Sequence, residues 1–528
     1  MFWAEKIADE VERKYGDRIQ AGQPIVVRDE KTASGRVHVG SLRSASLHAI
    51  VHDVLKTRGF ATNFLFEIND FDPMDGIPGY LDEAEYQQYM GMPLYKVPSP
   101  EEGYDNFAEL YGQEYVRVLE KIGFGAEVYR ATEHYRSGAM NEAIRQVLDN
   151  QPKVRQIYFD VSKSERAEDW YPLNVVCECC GKMSTTKVTA WDGAMVNYVC
   201  SSDTVEWAEG CGHEGRISPF DGNAKLPWKV EWAAKFATVG GGVHFEGGGK
   251  DHYSKGGARQ VAEAVSREVL EYEPPYGVFN EFFLVGGKKM SSSKGNAATA
   301  VEMVEILPPH LLRLLLLKTP INRQIDFDPD GDAIPVLFDT YDRLAEKYWS
   351  GVEDDDTALF QFAHLAADRA TLAPRFLPRF SQIAFLVQMP HMDLTTEVQE
   401  MKGAELTEAD MNELSIRSHY AKRWLKEYAD EKFIFTLQVE LPELAKELTN
   451  EQQAGLELLA TKMENAGELD AQSLHELIHE AKETSGLSPK EFFSAIYTVF
   501  LGKDSGPKVG WFLSTLEKKF VVTRLRLR

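Results

Sequence analysis

Two stretches far apart in the chain carry the residue types that handle phosphate. The first, Thr32-Ala33-Ser34-Gly35-Arg36-Val37-His38-Val39-Gly40-Ser41, sets small and hydroxyl-bearing residues around one histidine. The second, Lys288-Lys289-Met290-Ser291-Ser292-Ser293-Lys294-Gly295, places serines between lysines. Small residues let the backbone approach a phosphate, and exposed N–H groups at a helix start hold its oxygens. The His38 imidazole can donate to oxygens as charge develops at phosphorus. Neither stretch identifies a nucleotide site alone, because a histidine near a helix start commonly caps or packs and a serine run is commonly a plain loop. Together they predict one ATP held from two sides. His38 and Lys289 are the candidate catalytic groups. Ser34, Gly35, Gly40 and Ser41 complete the first half, and Met290, Ser291, Ser292 and Ser293 the second. The sequence contains no GxxxxGK[ST] pattern, so this is not a P-loop site.

The elements around these residues predict an α/β fold. Pro24-Ile25-Val26-Val27-Arg28 reads as a buried strand, Ser41–Thr57 has helical apolar spacing, and Thr62–Ile68 reads as a second strand. Strand, helix, strand at this length is a βαβ unit with a parallel sheet, which puts His38 to Ser41 at a helix N-terminus. Residues from about 80 to 235 read as a large insertion containing the helical stretch 106–121, and the sheet is expected to resume near Gly240. Phe282–Val285 then reads as a strand, and Glu302–Leu317 as a helix. The acidic run Glu353–Asp356 is either a linker or a helix start. The remainder is helix-rich: Ile416, Tyr420, Trp424 and Tyr428 recur every four residues, and Ser488-Pro489-Lys490-Glu491 has capping-box spacing.

All 5 cysteines fall between Cys177 and Cys211, which points to metal before disulfides. Cys177, Cys180, Cys200 and Cys211 would make a closed structural tetrahedral site, leaving Cys179 as the odd thiol and His213 as an alternative ligand. Asn69-Asp70-Phe71-Asp72 follows the second strand, where α/β folds bind ligands; its acids could hold a substrate amine or cap the turn. Trp228, Glu231 and Trp232 are core and surface of a helix start, or the aromatic wall and counter-charge for a cationic side chain. A buried side-chain ammonium needs such a partner, and Asp72 and Glu231 are the candidates.

At 528 residues, two to four domains are expected; 43% hydrophobic and 27% charged residues are globular values. The formal net charge of −24 excludes a blanket nucleic-acid binder but leaves room for a local basic surface, for which the tail Lys518-Lys519 … Arg524-Leu525-Arg526-Leu527-Arg528 is a candidate. No apolar run is long enough to span a bilayer, and the N-terminus lacks a signal-peptide pattern, so a cytoplasmic enzyme is expected.

The two phosphate stretches resemble the HIGH and KMSKS signatures of class I aminoacyl-tRNA synthetases. The whole chain is similar to the class I lysyl-tRNA synthetases, through Thr32–Gly40, Leu226-Pro227-Trp228-Lys229-Val230-Glu231-Trp232, Gly249-Lys250-Asp251-His252 and Gly506-Pro507-Lys508. Ser41 replaces the second histidine of the first signature and Ser292 the second lysine of the other, with Lys294 available to supply part of the charge. The resemblance implies a class I Rossmann-type parallel sheet with a zinc-containing insertion, followed by an all-α C-terminal region. It implies a catalytic domain over 1–300, interrupted by an insertion at about 80–235 with a zinc module at about 174–218. A stem-contact helical region at 301–375 and an α-helical anticodon-binding domain at 376–528 follow. Asp251 and His252 are implied for ATP, with Thr32, Asp72, Trp228, Glu231 and His252 for lysine. ATP, Mg²⁺, structural Zn²⁺, L-lysine and tRNA(Lys) are the implied cofactors and partners. A class I synthetase for another amino acid, or a non-catalytic RNA-binding protein on a relic nucleotide fold, are the alternatives.

Overall fold

A computed structural model describes residues 1–286, 299–389, 392–467, 471–506 and 508–528. The chain divides into two compact units, one made of residues 1–328 and 344–372, the other of 329–343 and 373–528.

The first unit is built on a parallel sheet. Strand β1 (Ile25–Thr32) begins with the wholly buried run Ile25, Val26, Val27. Continuous apolar residues suit a strand covered on both faces. It is followed by α1 (Ser41–Thr57), β2 (Thr62–Asn69) and β3 (Glu127–Arg130). β1 pairs with β2 and β2 with β3, all parallel. On its other side β1 meets the segment around Phe245, which bridges Val27 and, in turn, Tyr276. This second flank continues into the strand Gly248–Gly249, paired in parallel with Phe279–Asn280. The strand that follows β1 in sequence therefore lies on one side of it and a much later strand on the other. A crevice at such a switch point, outside the carboxyl ends of the strands, is where open α/β sheets bind ligands.

The sheet takes its third strand from Glu127–Arg130, inside the stretch read as an insertion and well before Gly240. That strand is too short and too exposed to carry an apolar alternation. The stretch expected to be one helix over 302–317 is two, Ala300–Ile306 and Pro309–Leu317. Pro308 and Pro309 cannot continue a helix interior, and Pro309 instead opens the second helix. The acidic run is a helix start: Asp354 caps Asp355–Ala363. The cysteine region holds β4 (Thr186–Trp191), β5 (Val196–Cys200) and β6 (Glu214–Ile217), a three-stranded antiparallel sheet. The helix α2 (Trp228–Thr238) leads back towards the main sheet, and α3 (Ala258–Glu268) packs against it.

The second unit carries helices and no strand among the described residues. Thr407 and Ser488 each form a capping box, opening helices Glu408–Glu427 and Pro489–Leu501. In the first of these the buried side is Leu414, Arg417, Ala421 and Trp424, while Ile416 and Tyr420 are half-buried. A strict four-residue spacing drifts round a helix of 3.6 residues per turn, so the stripe read from sequence crosses the edge of the real face. Of the basic tail, Arg524 is buried and donates to the carbonyls of Gln438, Val439, Glu440 and Val499. Arg526 pairs with Glu457 and Glu464. Those two cations hold the fold together and are not a free basic surface. Among the described residues no helix is long and apolar enough to cross a membrane.

Candidate active site

A cavity of about 680 Å³ opens where β1 and β2 end, lined by Thr32 and Asn69 from those ends and by Gly247 to Gly249 from the neighbouring strand. Ser34 and Ser41 line it as well. The turn between them carries Gly35, His38 and Gly40. Gly35 has φ 140°, and a Cβ there would lie 2.9 Å from the Tyr80 hydroxyl. That hydroxyl accepts from the Arg36 N–H at 2.8 Å and so fixes the turn. A Cβ on Gly40 would sit 2.8 Å from His38 Nδ1, so only glycine leaves the imidazole where it is.

Lys289, Met290, Ser291, Ser292 and Ser293, with Lys288, Lys294 and Gly295, lie outside the described residues. Their described flanks are placed. Thr299 pairs antiparallel with His38, and the Ala300 N–H donates to the Val37 carbonyl at 2.9 Å. On the other flank the Phe283 carbonyl comes within 3.6 Å of the Cβ position at Gly40. Both sides of the second phosphate stretch thus adjoin the first.

The cavity wall is acidic. Asp29, Glu30, Asp72, Asp75 and Glu246 line it, against two lysines, Lys31 and Lys225. Behind the wall, Glu67 and Glu231 balance Arg28 and Lys235. Arg28 is fully buried and donates to Glu30, to Glu246 at 2.5 Å, to Glu67 at 3.0 Å and to the Tyr129 hydroxyl at 2.9 Å. Lys235, also fully buried, pairs with Glu67, with Glu231 at 3.2 Å and with Glu30 at 3.5 Å. Burial alone would lower the Lys235 ammonium, but Glu231, Glu67 and Glu30 hold it well above the usual lysine range. Glu67 is the converse: burial pushes it up, and Lys235 with Arg28 hold it far below the usual carboxylate range. Even with His48 protonated against Asp29 (3.5 Å), the wall keeps surplus negative charge. Burial raises both Glu246 and Asp75, with Glu30 adding to the first and Asp72 to the second. A wall of this kind suits a cationic guest.

Of the residues read from sequence, Thr32, Ser34, Ser41, Asp72, Trp228 and His252 line one cavity. Asp72 accepts from Thr32 at 2.6 Å and pairs with Lys225 at 2.9 Å. Burial would raise its carboxyl, but Lys225 and Thr32 keep it low. The His252 ring lies 5.5 Å from Trp228 and 5.9 Å from Trp232, and the two indoles stack on each other. Glu231 does not reach the wall; it is buried and holds Lys225 and Lys235. Asp251 is exposed on the short 3₁₀ turn Lys250–Tyr253, outside the lining. The sequence reading passed over Arg28, Glu30, Lys225, Lys235 and Glu246. One signal was available: Glu246 follows directly on the apolar Phe245, and an acid in a buried segment requires a partner.

In the cysteine module Cys177, Cys180, Cys200 and Cys211 bring their sulfurs within 4.8 Å of one another. Two sulfur pairs, Cys177 with Cys211 and Cys180 with Cys200, are 3.7 Å apart. A tetrahedron with metal–sulfur bonds of ~2.3 Å has edges of ~3.8 Å, so the donor set fits a thiolate-bound tetrahedral ion. One tight turn and one pairing across a loop shape it. Gly181 N–H donates to the Cys177 carbonyl at 2.8 Å and Gly212 N–H to the Cys200 carbonyl at 2.8 Å, both glycines at positive φ. Cys179 is exposed and His213 packs on Tyr198; neither belongs to the set.

Comparison with known proteins agrees with this geometry. A family profile described as tRNA synthetases class I (K) matches residues 1–368, and one described as an anticodon binding domain matches residues 371–527. A lysine–tRNA ligase of Methanosarcina barkeri (strain Fusaro) is 32% identical over 541 aligned residues, covering 99% of this chain and 96% of that protein. Lysine–tRNA ligases of Methanococcus maripaludis and Methanocaldococcus jannaschii are each 32% identical, and each alignment covers 100% of both chains.

Proposed function

The chain belongs to the class I tRNA synthetases of the lysine type, and we infer that it activates L-lysine with ATP and transfers the lysyl group to the 3′ end of tRNA(Lys). The observation that carries the lysine reading is the surplus of acids on a cavity wall that adjoins a phosphate-binding turn. A neutral or anionic amino acid would leave those acids uncompensated; lysine brings two ammonium groups.

The lysine carboxylate attacks the α-phosphate of MgATP in line; the P–O bond to pyrophosphate breaks, and lysyl-adenylate forms. A terminal ribose hydroxyl of the tRNA then attacks the activated carbonyl and AMP leaves. The carboxylate is already a nucleophile, so the first step needs no general base, and the protein contributes position and charge stabilisation. His38 contacts the ATP phosphates, with Ser34, Gly35, Gly40 and Ser41 giving the backbone its close approach. Lys289 with Met290, Ser291, Ser292 and Ser293 holds the leaving pyrophosphate; the flanks beside His38 support that assignment. His252 and Asp251 serve the nucleotide side. Thr32 and Asp72 take the α-ammonium, and Trp228 with His252 borders the side chain. Glu231 acts from behind the wall, by holding Lys225 and Lys235. The four thiolates hold Zn²⁺, which supplies a structural cross-link. The catalytic domain, with its insertion, and the helical regions at 301–375 and 376–528 keep the roles given above, the last reading the anticodon. The enzyme works in the cytoplasm.

ATP–pyrophosphate exchange with each amino acid in turn tests the reading. Exchange should be driven by lysine; exchange driven by another amino acid and not by lysine would refute it.

A further inference from the structure

We propose that Glu246 is the specificity-determining acceptor for the substrate's side-chain ammonium, receiving it on Oε2. Oε1 is already engaged, accepting from Arg28 Nη1 at 2.5 Å and from the Trp232 indole N–H at 2.7 Å. Oε2 is buried and accepts no hydrogen bond, in a residue only 2% exposed that lines the cavity. A buried carboxylate oxygen without a donor is costly, so a folded site retains one where a ligand supplies the donor. The surplus of acids on this wall requires that donor to be a cation. Among the buried carboxylate oxygens of the described residues, Glu231 Oε1 also accepts no hydrogen bond, but Glu231 stands behind the wall and offers a guest nothing.

The inference rests on lysine being the substrate, and it separates the two ends of that molecule. The α-ammonium is attached beside the reacting carboxylate and stays near the phosphates. The acid nearest that end is Asp72, bonded to Thr32 two residues before Ser34. Glu246 pairs instead with Arg28, four residues before Thr32 on the same strand, and is bonded to Trp232, whose ring lines the cavity where a hydrocarbon stem would lie. The Arg28 and Trp232 donors pin the carboxylate, so the ammonium meets an oxygen already oriented.

The test uses the full-length enzyme in lysine-dependent ATP–pyrophosphate exchange. Glu246→Gln keeps the shape and removes the charge. Loss of one charge-assisted contact predicts a KM for lysine raised about 10- to 100-fold, with the KM for ATP unchanged. Norleucine, which lacks the side-chain ammonium, should compete with lysine far more weakly on wild type than on the Gln variant. Glu246→Asp draws the carboxylate back by one methylene and should move the preference from lysine towards homolysine. Should the Gln variant not fold, the Asp variant decides by that ratio, which a merely structural role would not shift. An unchanged KM for lysine in a folded Gln variant, or an unchanged homolysine ratio in the Asp variant, overturns the proposal while leaving lysine activation standing. A wild-type enzyme that exchanges without regard to lysine overturns the underlying reading instead.

Discussion

Replacing Glu67 by glutamine tests the buried charge network at its most committed member. Glu67 is fully buried; Oε1 takes Lys235, and Oε2 takes Arg28 at 3.0 Å and the Tyr129 hydroxyl at 2.7 Å. Glutamine preserves the volume, but its amide NH₂ would face the donors that one carboxylate oxygen now accepts, and two buried cations lose their shared counter-charge. Breaking a buried pair in this way costs about 3–5 kcal/mol. Tyr129→Phe removes two hydrogen bonds, the one donated to Glu67 and the one accepted from Arg28, and should cost about 2–3 kcal/mol. The double variant Glu67→Gln/Lys235→Met removes a stranded cation together with its acid, so it should recover at least about 2 kcal/mol of the summed single losses. Urea unfolding followed by tryptophan fluorescence reports the transition of the unit that holds Trp228 and Trp232. The same acid sets a pH dependence. Its folded carboxyl lies far below the unfolded one, so the stability it contributes is present above the unfolded value and is lost as pH falls below it. A Glu67→Gln cost under about 1 kcal/mol, or strictly additive losses in the double variant, would refute the view that these four groups act as one unit.

Gly40→Ala should lower the exchange rate at least about tenfold with little change in stability, because the new Cβ would sit 2.8 Å from His38 Nδ1 and must displace the ring; an unaltered rate in steady-state exchange would exclude His38 from the phosphates. Native protein should carry one zinc per chain by metal analysis, and Cys180→Ser should lose it along with about several kcal/mol of stability, since structural zinc binding contributes folding free energy. His244 is lowered by burial to about 4, with its Nδ1 accepting from the Val26 N–H at 3.1 Å. The unfolded chain therefore takes up a proton near 6.5 that the folded one refuses, and stability falls as pH drops from about 6.5 to about 4. His244→Asn keeps an acceptor and cannot charge, so denaturation midpoints at pH 7 and pH 5 should lie closer together than in wild type.

How much of this was legible from the residues depended on whether their information was local. β1, α1 and β2 were plain, because apolar run, helical period and strand follow each other within one βαβ unit. The capping boxes at Thr407, Asp354 and Ser488 are four-residue patterns, of which the sequence reading took up Ser488 alone. β3 was not legible, since four half-exposed residues acquire strand geometry only by pairing with β2. The phosphate turn was legible because glycine, histidine and serine have few reasons to share so short a span. The acid wall was not. Glu30, Asp72, Lys225, Lys235 and Glu246 come from five separate segments, and nothing in any one segment says which acid faces water, which faces a lysine and which faces a guest. Glu231 shows the limit: its sequence neighbourhood beside Trp232 suggested the pocket, whereas the turn of α2 aims it at Lys225 and Lys235.

The hardest competitor for such a wall is arginine, whose side chain is also a long cation, so surplus negative charge cannot by itself exclude it. Geometry can. A guanidinium is held best by two coplanar acceptors, commonly both oxygens of one carboxylate, whereas an ammonium is content with single acceptors at any angle about it. At Glu246 one oxygen is already taken by Arg28 and Trp232, leaving only Oε2; Glu30 and Glu67 accept from Arg28 as well. A second guanidinium meeting Glu246 would thus find a single oxygen there and leave two of the N–H groups it brings to that carboxylate buried without partners. At about 1–3 kcal/mol for each stranded donor, two of them place arginine roughly 30- to 25,000-fold behind lysine in kcat/KM. Exchange kinetics with arginine and lysine on the same enzyme measure that ratio, and arginine used within about tenfold of lysine would show that Arg28 does not screen the site in this way.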